Sequence, residues 1–125
     1  MTTNPTTVSD SVFPTRGPLV LLAEQPNERI DVSKAKSFGE VRVLFNDGDP
    51  SCFSSDAYVA RLKERLHALD FNPNTDYFCL AGPVANTSFV LAALLREHKV
   101  VRVLLYSPGA NGYLSRTIDF RNLPT

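Results

Sequence analysis

With 125 residues, 43% of them apolar, the chain has the size and core-forming content of one domain rather than two. Thirteen basic and thirteen acidic side chains cancel to zero net charge, so no global field gathers anionic lipid or nucleic acid, the latter is a disfavoured partner, and a near-neutral surface eases self-association. Cys52 and Cys79 lie outside any CxxC or Cys/His ligand spacing, no run approaches the roughly 20 apolar residues of a membrane span, and MTTNPTTVSDSVFPTRG lacks the blocks of a signal peptide. A cytoplasmic protein with reduced thiols is expected, with no zinc site, disulfide scaffold or membrane partner.

Residues 1–17 form a Thr-, Ser-, Pro- and Asn-rich arm whose apolar anchors are Val8, Val12 and Phe13. Such a segment has too little to bury and reads as an extended arm ahead of a single domain over 18–125. PLVLLAEQ (18–25), bounded by Gly17-Pro18 and Pro26-Asn27, reads as a short strand. DVSKAKSFG (31–39) offers Asp31 or Ser33 as an N-cap and Gly39 as a C-cap, which suits one helical turn or a loop. EVRVLFN (40–46) is a β-branched strand, and the turn formers NDGDPS follow it.

SSDAYVARLKERLHAL (54–69) predicts an amphipathic helix with serine at its cap and Asp56 in its first turn. Its spacing buries Val59, Leu62, Leu66 and Leu69 and turns Arg61, Lys63, Glu64, Arg65 and His67 to water. YFCLA (77–81) is an uninterrupted apolar strand of the kind covered on both faces, and TSFVLAALLREHK (87–99) predicts a second, more buried helix. VVRVLLY (100–106), SPGANG (107–112) and YLSRTIDF (113–120) read as strand, turn and strand. So short a turn cannot carry a parallel crossover, so the last strand is expected to form an antiparallel hairpin at the sheet edge. The sum is a small Rossmann-like or flavodoxin-like α/β domain with a mainly parallel central sheet built β-α-β-α-β. VRVL recurs at 41–44 and 101–104, a match that common strand composition accounts for without a duplication.

In such sheets ligands bind beyond the carboxyl ends of the parallel strands. The loops 46–52, 81–88 and 107–112 share that edge and supply the candidate ligand-binding residues Asp47, Asp49, Ser51, Asn86, Thr87, Ser88, Ser107 and Asn111. The same residue types make ordinary turns, and Asn86 or Thr87 is most simply the N-cap of the second helix. No GxxxxGK loop is present, and AGPVAN has one glycine followed by a proline that lacks an amide donor, so NAD and ATP are disfavoured and no cofactor is expected. Asp47 and Asp49 have no third carboxylate in the other two loops to complete a metal site. Cys52 has no histidine at its edge, because His67 and His98 close the far ends of their helices. LAGP (80–83) resembles a strand end of nucleoside deoxyribosyltransferase-like proteins; those hold it on the first strand beside an acidic nucleophile, and no role is transferred here.

Two functions are set against each other. The favoured one is a non-enzymatic binding or assembly module that associates with itself or another protein through the arm and the final hairpin, with Val12, Phe13, Tyr113, Arg116, Ile118 and Phe120 as interface candidates. The alternative is a small-ligand or nucleotide-binding protein, which includes an enzyme, using the three loops. Arg42, Arg102 and Arg116 would grip an anion if they shared one face.

Overall fold

A computed structural model of the chain describes residues 16–27 and 30–121. Val12, Phe13 and the rest of the arm before Arg16 lie outside the described residues. The elements are β1 (Leu19–Glu24), a 3-10 helix (Val32–Ser37), β2 (Glu40–Phe45), α1 (Tyr58–Leu69), β3 (Tyr77–Cys79), α2 (Val84–His98), β4 (Val100–Ser107) and β5 (Gly112–Asp119). They make a small α/β domain with a five-stranded sheet in the order β2-β1-β3-β4-β5. The first four strands are parallel and β5 returns antiparallel along β4, from Val100 opposite Asp119 to Ser107 opposite Gly112. That is the strand order of flavodoxin-like doubly wound sheets, with the winding reversing beside β1.

Strand β1 sits second in the order, and Leu19 through Ala23 are buried accordingly. Its alternate residues serve two cores. Leu21 and Ala23, with Leu44, Phe45, Phe78, Val101 and Val103, pack under α1 and α2. Val20 and Leu22, with Cys79, Ala81, Leu104 and Tyr113, pack under the segment that carries Ala35, Ile30, Val32 and Phe38. The connection from β1 to β2 runs one way along the sheet and those through α1 and α2 run the other, so a single crossover hand puts them on opposite faces. VRVL illustrates the cost of reading composition alone: Val41 and Val43 face the 3-10 side, whereas Val101 and Val103 face the helices. The two copies are not equivalent units.

The amino edge of the sheet is fastened by Asp76, which is wholly buried. Its carboxylate accepts from Arg16 at 2.9 and 2.7 Å, from the backbone N–H of Leu19 at 2.9 Å and of Asn72 at 2.7 Å, and from the Thr75 hydroxyl at 3.1 Å. Arg16 also donates to the Asp70 carbonyl at 2.9 Å, which joins the end of α1 to the start of β1. Nearby, a Cβ on Gly39 would stand 2.5 Å from the Pro18 carbonyl oxygen, which accepts the Glu40 N–H at 2.9 Å. Only glycine allows β2 to begin that close to β1.

Three sequence expectations are corrected. Helix α1 begins at Tyr58, without a serine cap; Ser55 instead accepts from the Ala57 N–H in the preceding turn, and Val59 is exposed while Tyr58 takes the buried place. Arg65 and Arg61 are not left to water but turn back onto Asp49. Helix α2 begins at Val84, with Pro83 as its N-cap, so Asn86 and Thr87 lie inside the first turn and are buried. Pro83, at φ −57, directs the chain into the helix early, and the side chain of Asn86 finds its partners sideways instead of on the backbone.

Candidate functional site

The carboxyl ends of β1, β2 and β3 meet the start of α2 around a cleft of about 470 Å³, within the span of small-molecule sites. The loop after β2 forms one wall. Asn46 and Asp49 close a β-turn by an N–H to C=O bond of 3.1 Å, with Gly48 in its third position at φ +91, where a side chain would be strained. Asp49 then fastens this loop to α1: Arg65 grips both of its oxygens at 2.6 and 2.7 Å, Arg61 adds a contact at 3.3 Å, and the Asn46 N–H donates at 2.6 Å. Arg65 also donates to the Leu44 carbonyl at 2.7 Å and lies over the Phe45 ring. The Arg65 hydrogen bonds foremost, then the Asn46 N–H, hold the Asp49 carboxyl down to about 2. Asp49 is therefore a strut, and both arginines are spent on it.

The opposite wall is built on Glu24, the last residue of β1. Asn86 donates from Nδ2 to Glu24 Oε1 at 2.7 Å, and its own Oδ1 accepts from the Tyr58 hydroxyl. Tyr58 is buried, stacked on Phe45 with ring centres 5.0 Å apart and tilted against Phe89 at 5.9 Å. Burial, then the nearby Cys52 and Glu24, push its hydroxyl up to about 12, so it stays a donor across the neutral range. The relay Tyr58–Asn86–Glu24 thus fixes which way the Asn86 amide faces and leaves the second oxygen of Glu24 without a described partner. Gly82 permits the close fit: a Cβ there would stand 3.1 Å from Thr87 Oγ1 and 3.3 Å from the Glu24 carbonyl oxygen.

A family model described as phage Pam3 gp32-like protein matches residues 15–120 of this chain. The chain belongs to that family. No curated protein and no solved structure matches it. All the cleft residues fall inside the matched stretch, whereas Val12 and Phe13 precede it.

Of the eight residues expected at the edge, Asp47, Asp49, Ser51 and Asn86 line the cleft. Thr87 is buried behind it, and its hydroxyl finds no hydrogen-bond partner among the described residues. Ser88 lies on the outer side of α2, beside Leu91, Ala92 and Phe120. Ser107 and Asn111 belong to the β4–β5 hairpin, whose turn is closed by backbone bonds and by Asn111 at φ 52; they do not reach the cleft. Cys52 does line it, but His67 and His98 sit at the far ends of α1 and α2. Among the described residues no group of three or more His, Cys, Asp or Glu is placed to hold a metal ion. Sequence reasoning missed Glu24, Tyr58 and the exposed ring of Phe53, all of which stand at or behind the cleft wall.

The arginines do not share a face. Arg42 pairs with Glu40 at 2.6 Å on the β2 edge, and Arg102 lies 4.3 Å over the Tyr77 ring and donates to the Asn74 carbonyl. Arg116 is paired across from Val103, on the helix side. Of the interface candidates, Tyr113 is buried, its burial raising the hydroxyl, and Ile118 is partly buried against the helix-side core; Arg116 and Phe120 are exposed. No helix among the described residues is long and apolar enough to cross a membrane.

Proposed function

We propose that the domain binds a small molecule in the cleft beyond β1, β2 and β3. The observation that supports it best is Glu24, a carboxylate at the reversal of the sheet winding, oriented by the Asn86 amide and the buried Tyr58 hydroxyl with one oxygen turned to no described group. Ordering three polar groups at the end of a buried strand costs free energy that packing alone would avoid. The test is a nuclear magnetic resonance titration of the full chain with nucleosides, nucleotides, sugars, amines and divalent cations. Shifts for at least one compound should cluster at Glu24, Asp47, Phe53 and Asn86 and be lost in Glu24→Ala. If no compound in the panel moves those signals, the reading fails.

A second reading, assembly through contacts with itself or another protein, draws on a different surface. Among the described residues no helix covers the outer part of the β4–β5 hairpin, and Leu105 pairs with Leu114 in register, both exposed on the helix side, with Phe120 exposed beyond the end of β5. Light scattering with Leu114→Lys tests it: a wild-type dimer that becomes monomeric supports assembly, and a wild-type monomer at all concentrations defeats self-association.

A further inference from the structure

Resting on the cleft reading above, we propose that the ligand is an uncharged ring compound rich in O–H and N–H donors, of the nucleoside class, and that the cleft discriminates against its phosphate esters. The argument begins with sign. Glu24 and Asp47 both line the cleft, and among the described residues no lysine or arginine pairs with either. The guanidinium groups of Arg61 and Arg65, which reach the cleft wall, already answer Asp49. Among the described residues, a phosphate entering there would meet two carboxylates and no spare cation, a juxtaposition that works against binding.

The start of α2 is the one feature that would favour an anion, since its first N–H groups carry partial positive charge. Here the protein's own Glu24 carboxylate already stands beside that turn, tied to it through Asn86 at 2.7 Å. Pro83, the N-cap, brings no N–H of its own. An anion would therefore compete with a fixed side chain.

What the cleft does offer is acceptors and a ring. An ionised carboxylate only accepts, so Glu24 and Asp47 call for hydroxyl or N–H donors, and vicinal donors on one ring satisfy a carboxylate best. Phe53 lines the same cleft with 83% of its surface exposed, although nothing in the fold requires an aromatic side chain in water. A flat base stacked on that ring, with its sugar hydroxyls directed at Glu24, uses both features, and stacking tolerates any base.

Calorimetric titration of the full chain tests this with adenosine, cytidine, guanosine and uridine, each beside its monophosphate, and with inorganic phosphate and ribose as controls. At least one nucleoside should bind, about tenfold or more tighter than its monophosphate. Glu24→Gln, which keeps the shape and removes the charge, should weaken it about tenfold. Phe53→Ala, at an exposed position that the fold does not depend on, should weaken it several-fold, and Asp47→Asn should narrow the gap between nucleoside and monophosphate. A monophosphate that binds as tightly as its nucleoside overturns the discrimination while leaving the cleft reading in place. So does binding of a compound from another class at Glu24. Absence of any binding by the whole titration panel, amines and cations included, removes both.

Discussion

Replacing Tyr58 by Phe removes one oxygen and leaves the stacking on Phe45 intact, so it isolates the hydrogen bond at the head of the relay. Its partner, Asn86, is 2% exposed, so its Oδ1 stays buried without that donor once the hydroxyl is gone. Leaving one buried acceptor unsatisfied costs about 1–3 kcal/mol. For a domain of this size that lowers the melting temperature by roughly 3–5 °C per kcal/mol, so a fall of about 3–15 °C is expected by calorimetry. Asn86→Ala removes both bonds of the relay, and the double variant should cost clearly less than the two single ones added together, because the lost partner is shared. Spectroscopic titration provides an independent check, since Tyr58→Phe should delete the tyrosine that ionises near 12. A melting temperature unchanged in Tyr58→Phe, or strictly additive losses in the double variant, would show that the relay is not formed and that Glu24 is not oriented by it.

Asp76→Ala releases Arg16 and strands the buried Leu19 N–H and the part-buried Asn72 N–H, and should cost about 1–3 kcal/mol in chemical denaturation. Burial works to raise the Asp76 pKa, but bonds from Arg16, Asn72 and Leu19 outweigh it and leave it lowered. Its stabilisation is therefore complete above the unfolded-state value near 4 and is lost as pH falls through the lower folded value, so Asp76→Asn should flatten the acid limb of the stability curve. Asp49 behaves likewise between 3.8 and about 2, and Arg65→Ala should raise that lower limit while speeding amide exchange in loop 46–52. Gly39→Ala drives a Cβ to 2.5 Å from the Pro18 oxygen and should cost about 1–3 kcal/mol by the same denaturant assay, whereas Gly109→Ala, in open space, should change stability little.

Fold class was legible because periodicity and turn chemistry report it directly: the apolar runs became strands, the hairpin returned antiparallel, and Asp31 capped the 3-10 helix by accepting from Ser33 at 2.9 Å. Helix starts were not, because Ser55 and Pro83 are locally good for more than one role and tertiary partners chose among them. Half of the expected edge residues reached the cleft and half did not: Thr87 and Ser88 are turned away because α2 starts early, at Val84, and Ser107 and Asn111 miss it for a reason of strand order. With β1 between β2 and β3, the loops after β2 and β3 close over its carboxyl end, and the hairpin after β4 falls outside the ring. Nothing in PLVLLAEQ says that it will be an interior strand, so its last charged residue carried no signal until the order was known.

Three carboxylates of this domain can be told apart by how fully their oxygens are answered. Asp76 accepts from five donors and Asp49 from four, counting each guanidinium nitrogen separately, and both carry a lowered pKa as a result. Each of those clasps joins segments distant in sequence, which is what a structural carboxylate does. Glu24 is held as deliberately, by a relay that reaches through a buried amide to a buried phenol, yet it receives one described bond and faces a cleft. A carboxylate fixed in place but left with acceptor capacity is a poor strut and a good receptor. That contrast, more than the turn residues around it, is why we propose the cleft beside β1 as the place for a ligand.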